Sequence, residues 1–330
     1  MKDSCQVSAF RSQPRLFWQT LIFFGVILFL PGMGHSQTPK PKAKFPLPAL
    51  LICEKKRPAL AHVNSHGKLD WDYTLDGPPL DIQPQPSGHY LVAGGSQNVF
   101  LLRRVWKGGQ ILWDWSELGT LSIKSAVGVD WDESGNPSLV LAADATNQRL
   151  FLAEGKSKGV KIRWEFKLPS PPISARVCPD SNHFLAVLED STVEEIFYQE
   201  DKVVWSIGKE DGLKDVRDAV RGPWGQTYVA EGADGLIICF DPDKKQVWKT
   251  HLPFAPSPSF QDIGLFIYKK NGKRLVMASV HWPEGPGARD VIYLLNAETG
   301  KVVDWSEHTD KGGYPPFHKV VPDLTTYSHK

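Results

Sequence analysis

Five polar residues that could build a binding site lie far apart in the 330-residue chain, each in or beside a different short apolar run: Asp81, Arg176, Arg217, Asp262 and His318. Carboxylates, guanidinium groups and an imidazole that meet at one axis must either pair with one another or hold a bound ion. We treat these five as a candidate ligand-binding site, which requires a fold that brings distant segments together. Binding there should weaken as His318 titrates near neutral pH.

A longer polar insertion, HWPEGPG at 281–287, supplies a second candidate. Its aromatic residue is held between prolines and glycines, so His281, Trp282 and Glu284 could form a lid over a binding site. A simple surface excursion is the alternative. Glu284 beside His281 could perform acid–base chemistry. No nucleophile is indicated, because the chain lacks G-x-S-x-G, P-loop and H-E-x-x-H motifs, and catalytic residues stay unassigned.

Metal binding receives little support from the cysteines. Beyond the N-terminal segment they are Cys53, Cys178 and Cys239, and no CxxC or His/Cys cluster occurs, so no zinc site is predicted. Cys53 and Cys239 lie in strand-like runs, which predicts burial as small apolar side chains. A metal could still be held by carboxylates, and the candidates for such a site are Asp81, Asp218 and Asp262.

The elements that would position these residues follow from a repeat. Six short apolar runs close on a tryptophan at intervals of 41 to 57 residues: Trp71, Trp113, Trp164, Trp205, Trp248 and Trp305. Each period contains several β-branched and aromatic runs separated by Gly, Asn and Asp, which predicts four short strands. A period of this length is typical of a radial array of four-stranded blades. The tryptophans are predicted to pack between neighbouring blades.

The ends of the array predict how it closes. The first repeat lacks an inner strand, and an extra strand-like segment at 312–327 follows the last tryptophan. The predicted fold is therefore all-β: a six-bladed β-propeller of four-stranded antiparallel blades, with the ring closed by the C-terminal strand. Closure would remove the exposed sheet edges of an open array. An open solenoid or a pair of sandwiches is the alternative.

The segment LLNAETGKVVDWSE at 294–307 resembles the quinoprotein-type (PQQ-like) propeller repeat, in which an Ala-x-Thr-Gly turn precedes a tryptophan strand. The matching residues are Ala297, Thr299, Gly300 and Trp305, with one residue more than usual between glycine and tryptophan. The run at 138–154 is similar instead to the NHL repeat, through Asp144, Asn147 and Arg149.

The resemblance implies a scaffold. The adjacent cysteine pair of quinoprotein dehydrogenases is missing and six blades replace the usual eight, so no cofactor is predicted, and PQQ and calcium are not expected. Non-enzymatic members of such superfamilies are binding and assembly platforms. The predicted function is a non-catalytic binding or scaffolding module that contacts a protein or polysaccharide through its loop face. Alternatives are a metal-assisted hydrolase or lyase with its site at the central channel and, less favoured, a PQQ-dependent oxidoreductase.

Charge and the N-terminus indicate where the protein acts. The formal net charge of +1 argues against nucleic-acid binding. Residues 1–36 have the basic, apolar and small-residue regions of a signal peptide, 37–46 form a Pro/Lys linker, and 47–330 form the propeller domain. The predicted location is secreted or periplasmic. An uncleaved signal anchor is the alternative, and it would be the only contact with a membrane.

Overall fold

The computed structural model describes the chain in twelve stretches: residues 49–54, 57–75, 77–84, 89–94, 101–106, 110–114, 126–132, 139–156, 159–253, 262–281, 290–308 and 317–323. The predicted signal peptide and linker lie outside these residues. Within the described stretches, no helix is long and apolar enough to cross a membrane.

These stretches contain 24 β-strands and one short 3-10 turn at Lys209–Asp211. In chain order the strands are β1 (Leu50–Glu54), β2 (Ala59–Val63), β3 (Leu69–Thr74), β4 (Pro79–Pro84), β5 (His89–Gly94), β6 (Leu101–Trp106), β7 (Gln110–Asp114), β8 (Ala126–Asp132), β9 (Leu139–Asp144), β10 (Arg149–Lys156), β11 (Gly159–Lys167), β12 (Pro172–Val177), β13 (His183–Leu188), β14 (Val193–Phe197), β15 (Lys202–Ile207), β16 (Val216–Arg221), β17 (Thr227–Glu231), β18 (Leu236–Phe240), β19 (Gln246–His251), β20 (Asp262–Lys270), β21 (Lys273–His281), β22 (Asp290–Asn296), β23 (Val302–His308) and β24 (Phe317–Pro322).

The strands form six antiparallel four-stranded sheets. Sheet 1 has the order β24-β1-β2-β3, and sheets 2 to 6 each take four consecutive strands, starting at β4, β8, β12, β16 and β20. In sheet 1 the C-terminal strand pairs with the first strand, with Leu51 opposite Val321 and Ile52 opposite Val320. The Asp323 amide then donates to the Ala49 carbonyl at 2.6 Å. The prediction of a β-propeller built from four-stranded antiparallel blades is confirmed.

Burial explains the hydrophobic pattern of each repeat. The second and third strands of a sheet lie between neighbouring sheets, so β1, β2, β17 and β18 are buried at every position. Such strands read as continuous apolar runs. The outermost strands β3 and β19 alternate between exposed and half-buried positions. The core is accordingly divided into clusters that join adjacent sheets, such as Tyr228 of sheet 5 with Tyr293 of sheet 6.

The repeated tryptophans pack at these seams, as predicted. Trp205 is 7% exposed within the cluster that joins sheets 4 and 5. Trp248 of sheet 5 donates its Nε1–H to the Ala297 carbonyl of sheet 6 at 3.2 Å. Gly300 in the same turn has a φ of +70°, and a Cβ there would lie 2.5 Å from the Trp248 ring. The Ala-x-Thr-Gly turn therefore receives the tryptophan of the preceding sheet. The Trp113 side chain lies outside the described residues.

Candidate functional site at the inner strands

The first strands of successive sheets contact one another. β4 contacts β8, β8 contacts β12, β12 contacts β16, β16 contacts β20, β20 contacts β24, and β24 contacts β4. In five of these strands the residue that follows a β-bulge takes an equivalent place, and these residues are Asp81, Gly128, Ser174, Asp218 and Lys319. In β20, which pairs with β21 without a bulge, Gly264 lies beside Lys319. The glycines leave room for long neighbours, because a Cβ on Gly264 would lie 2.7 Å from Lys319 Cγ.

Four buried charged residues meet around this position, and we call them the axial cluster: Asp81, Arg176, Asp218 and Lys319. None is more than 5% exposed. Arg176 Nη1 lies 2.7 Å from Asp81 Oδ2, and Arg176 Nη2 lies 3.5 Å from Asp218 Oδ2. Lys319 Nζ lies 2.7 Å from Asp81 Oδ1 and 3.6 Å from Asp218 Oδ2. Two cations thus balance two carboxylates, as buried charges require.

The Asp81 carboxylate also joins two sheets through backbone groups. It accepts hydrogen bonds from the Ile82 amide at 2.9 Å and from the Val129 amide of sheet 3 at 3.0 Å. Together with Arg176 and Lys319, these donors occupy both carboxylate oxygens. Asp81 is therefore a structural link between the inner strands of sheets 2 and 3.

Asp218 repeats the arrangement between sheets 5 and 6. Its carboxylate accepts from the Ala219 amide at 3.0 Å, from the Leu265 amide of sheet 6 at 2.9 Å and from Ser174 Oγ of sheet 4 at 2.7 Å. A third carboxylate, Asp130 of sheet 3, accepts from the Val177 amide of sheet 4 at 2.8 Å. The same device therefore fixes three separate seams between sheets.

In the axial cluster, burial and the neighbouring charges shift the pKa values in opposite directions. Burial raises the pKa of Asp81 and of Asp218, and the nearby Arg176 limits the rise. Burial would lower the pKa of Arg176, but the carboxylates of Asp81 and Asp218 outweigh it, and the pKa is raised. Groups coupled this closely titrate as one unit.

On the side where the inner strands begin, a mouth of about 230 Å³ opens above the cluster. Leu80, Ile173, Arg217 and Asp262 line it, with Asp218 and Lys319 below. Arg217 is the extra residue of a β-bulge, and its Nε pairs with Asp215 at 2.9 Å. His318 is the extra residue of the corresponding bulge in β24, but its side chain lies outside the described part of the chain.

On the other side of the cluster lies a larger concavity of about 430 Å³, which we call the recess. Its walls are largely apolar and include Val220, Trp224 and Phe266, and its polar residues include Gln83 and Arg176. Gln83 and Arg176 are 6% and 4% exposed, and neither Gln83 Nε2 nor Arg176 Nε has a hydrogen-bond partner. The recess was not foreseen from the sequence.

Four of the five predicted site residues fall into two levels of the same region. Asp81 and Arg176 form an ion pair in the axial cluster, whereas Arg217 and Asp262 line the mouth. The sequence analysis did not predict Lys319, although an alignment of the C-terminal segment with the other inner strands would have put it at the position equivalent to Asp81. Of the predicted metal ligands, Asp81 and Asp218 already contact Arg176 and Lys319. Within the described stretches, no group of three or more His, Cys, Asp or Glu residues could hold a metal ion.

The predicted lid is anchored at its base. His281 ends β21, is 5% exposed and lies 2.6 Å through Nδ1 from Asp290 Oδ1 at the start of β22. The described partner of His281 is thus Asp290. Trp282 and Glu284 lie outside the described residues.

Cys53, Cys178 and Cys239 are free thiols and buried, which confirms the burial predicted for Cys53 and Cys239.

Comparison with known proteins supports the fold and gives no information about the site. No family model matches the chain, and no curated protein matches it. A solved protein of unknown function from Bacteroides caccae superposes with a TM-score of 0.62 at 14% identity, covering 83% of this chain and 98% of that one. In all, 1322 solved chains match, so the fold is too widespread to identify a ligand. The protein is a β-propeller of small antiparallel blades.

Proposed function

We propose that this chain is an exported, non-catalytic binding module, and that its sheets are the six blades of one closed ring. Pairing of β24 with β1 supports this closure, as does the series of contacts between inner strands that returns from β24 to β4. The quinoprotein-type repeat supplies the scaffold, and the fit of Trp248 against the turn at Ala297 and Gly300 supports that assignment.

The axial cluster carries the proposal that the module is non-catalytic. A general base or a metal ligand needs a carboxylate oxygen that the reacting group can reach. Both oxygens of Asp81 and of Asp218 are already engaged by backbone amides and by Arg176, Lys319 or Ser174. Recruiting either residue would break buried ion pairs, so the metal-assisted hydrolase is the weaker proposal.

Binding is proposed for the loop face, meaning the mouth together with the turns that surround it. These turns are held by short polar contacts. Ser191 Oγ donates to the Lys214 carbonyl at 2.8 Å, and Lys214 Nζ lies 2.7 Å from Asp234 Oδ2. A surface fixed in this way loses little conformational entropy on binding. The exposed charges beside the mouth fit a protein or polysaccharide partner, and the +1 net charge argues against nucleic acid.

Metal analysis and a binding screen test the proposal. Purified residues 37–330 should contain no stoichiometric metal and should bind a member of an immobilised polysaccharide and peptide panel. Arg217→Glu, at the mouth, should weaken that binding about tenfold or more. Lys269→Glu is the matched control, because Lys269 lines the recess on the opposite side. Metal-dependent turnover, or binding that only Lys269→Glu reduces, would overturn the proposal.

A further inference from the structure

The recess contains two buried nitrogen donors that the chain does not satisfy. A buried donor without an acceptor destabilises the folded state, and folded proteins contain few of them. Gln83 Nε2 and Arg176 Nε are both of this kind, and both residues line the recess. They reach it from different sheets, β4 of sheet 2 and β12 of sheet 4. Two such donors at one cavity indicate an acceptor that comes from outside the chain.

The shape and lining of the recess fit a small organic molecule. Its volume of about 430 Å³ lies within the range of roughly 300 to 1,000 Å³ that is usual for ligand pockets. Trp224 and Phe266 supply aromatic surface, and Val220 adds an aliphatic wall. Trp224 is held in place, because its Nε1–H donates to Tyr228 Oη at 2.9 Å and Arg274 stacks on its ring at 4.6 Å.

Charge narrows the class of ligand. The positive charge of Arg176 is balanced by Asp81 and Asp218, and Arg221 at the rim is paired with Glu195. Arg176 and Arg221 are therefore compensated, and the remaining cation that lines the recess, Lys269, is exposed to solvent. A buried anion would meet no uncompensated cation beside the two donors of Gln83 and Arg176. Asp130, which also lines the recess, adds a negative charge to its wall. A neutral group that accepts a hydrogen bond suits this set better than a carboxylate or phosphate.

We propose that the recess binds a neutral molecule that combines an aromatic or other apolar body with an amide-type group. The carbonyl oxygen of the amide accepts from Gln83 and Arg176, and the body lies against Trp224 and Phe266. This site faces away from the mouth, so it is independent of the loop-face interaction proposed above.

Benzamide is a suitable probe, since it carries only these features. Isothermal titration of residues 37–330 should give saturable binding with a Kd of about 1 mM or tighter, as expected for a fragment of this size. Benzoate, which has the same shape and a negative charge, should bind at least about tenfold more weakly. Gln83→Leu should weaken benzamide binding about tenfold by removing one donor. Gln83→Met repeats this test with an unbranched side chain should leucine perturb folding.

Arg217→Ala is the control that separates the two sites. It alters the mouth and should leave benzamide affinity unchanged, whatever its effect on the loop-face partner. Failure to bind benzamide, equal affinity in the Gln83 variants, or loss only in Arg217→Ala would overturn the recess proposal. Crystals grown with benzamide in which ordered water remains on both Gln83 Nε2 and Arg176 Nε would also overturn it.

Discussion

The axial cluster and the recess share Arg176, yet they treat their polar atoms in opposite ways. In the cluster the Nη atoms of Arg176 face Asp81 and Asp218, and backbone amides complete both carboxylates. In the recess its Nε and the Gln83 amide nitrogen are buried without a partner. A buried group that is fully paired serves the fold, whereas a buried group without a partner is available to a ligand. Charge alone does not separate these roles.

Removing β24 should cause the largest loss of stability, because it breaks the axial cluster. Deletion of residues 314–330 removes Lys319 from the axial cluster and leaves β1 without its neighbour. The exposed backbone groups and the unbalanced carboxylates should abolish cooperative unfolding or cause aggregation. Calorimetry of this variant and of a control lacking only 324–330 measures the effect. A single transition at the full-length melting temperature in the larger deletion would mean that β24 does not hold the fold.

Substituting a tryptophan between two sheets measures how much apolar packing contributes to the free energy of unfolding. Trp205→Ala should lower the free energy of unfolding by about 3 to 5 kcal/mol, because a large side chain that is 7% exposed leaves a cavity. Trp205→Phe should cost clearly less, since most of the apolar contact remains. Urea unfolding measures both variants. Equal stability in Trp205→Ala and the parent protein would show that the seam tolerates the cavity.

The sheets, the axial cluster and the recess differ in how far the sequence could predict them. Tryptophan spacing and buried apolar runs give the sheets, because each repeat must bury the same faces. The side chains that meet at the axis depend on β-bulges. One extra residue after Val216 turns Asp218 inward and leaves Arg217 at the mouth, and a pattern of period two cannot locate such a slip. Lys319 depends on a similar bulge at His318, and the recess depends on packing between sheets.

The unpartnered amide of Gln83 allows a sharper test on the recess side. Gln83→Leu should leave the free energy of unfolding unchanged or raise it by up to about 1 kcal/mol, because leucine avoids burying an unsatisfied donor. Urea denaturation without added ligand measures this change. A loss of more than about 2 kcal/mol would show that Gln83 supports the fold in the same way as the axial residues do.

The smallest expected effect concerns pH. Burial raises the folded-state pKa of Asp81 and Asp218 above the unfolded value. The folded protein then holds these protons more tightly, so their contribution to stability is full below the unfolded pKa. It is lost as pH rises through the folded pKa. Asp81→Asn should therefore show a shallower decline in stability from about pH 4 upward. Parallel pH profiles for the variant and the parent would argue against a raised pKa at Asp81.

A double-mutant cycle between Asp81 and Arg176 measures directly whether the charges of the axial cluster stabilise one another. Asp81→Asn and Arg176→Met should each lower the free energy of unfolding by about 3 to 5 kcal/mol, since each leaves a buried charge without its partner. The double variant should lose about 2 to 3 kcal/mol less than the sum of the two single losses. Additive losses would contradict mutual pairing and would leave the axial carboxylates available to an external ion or ligand.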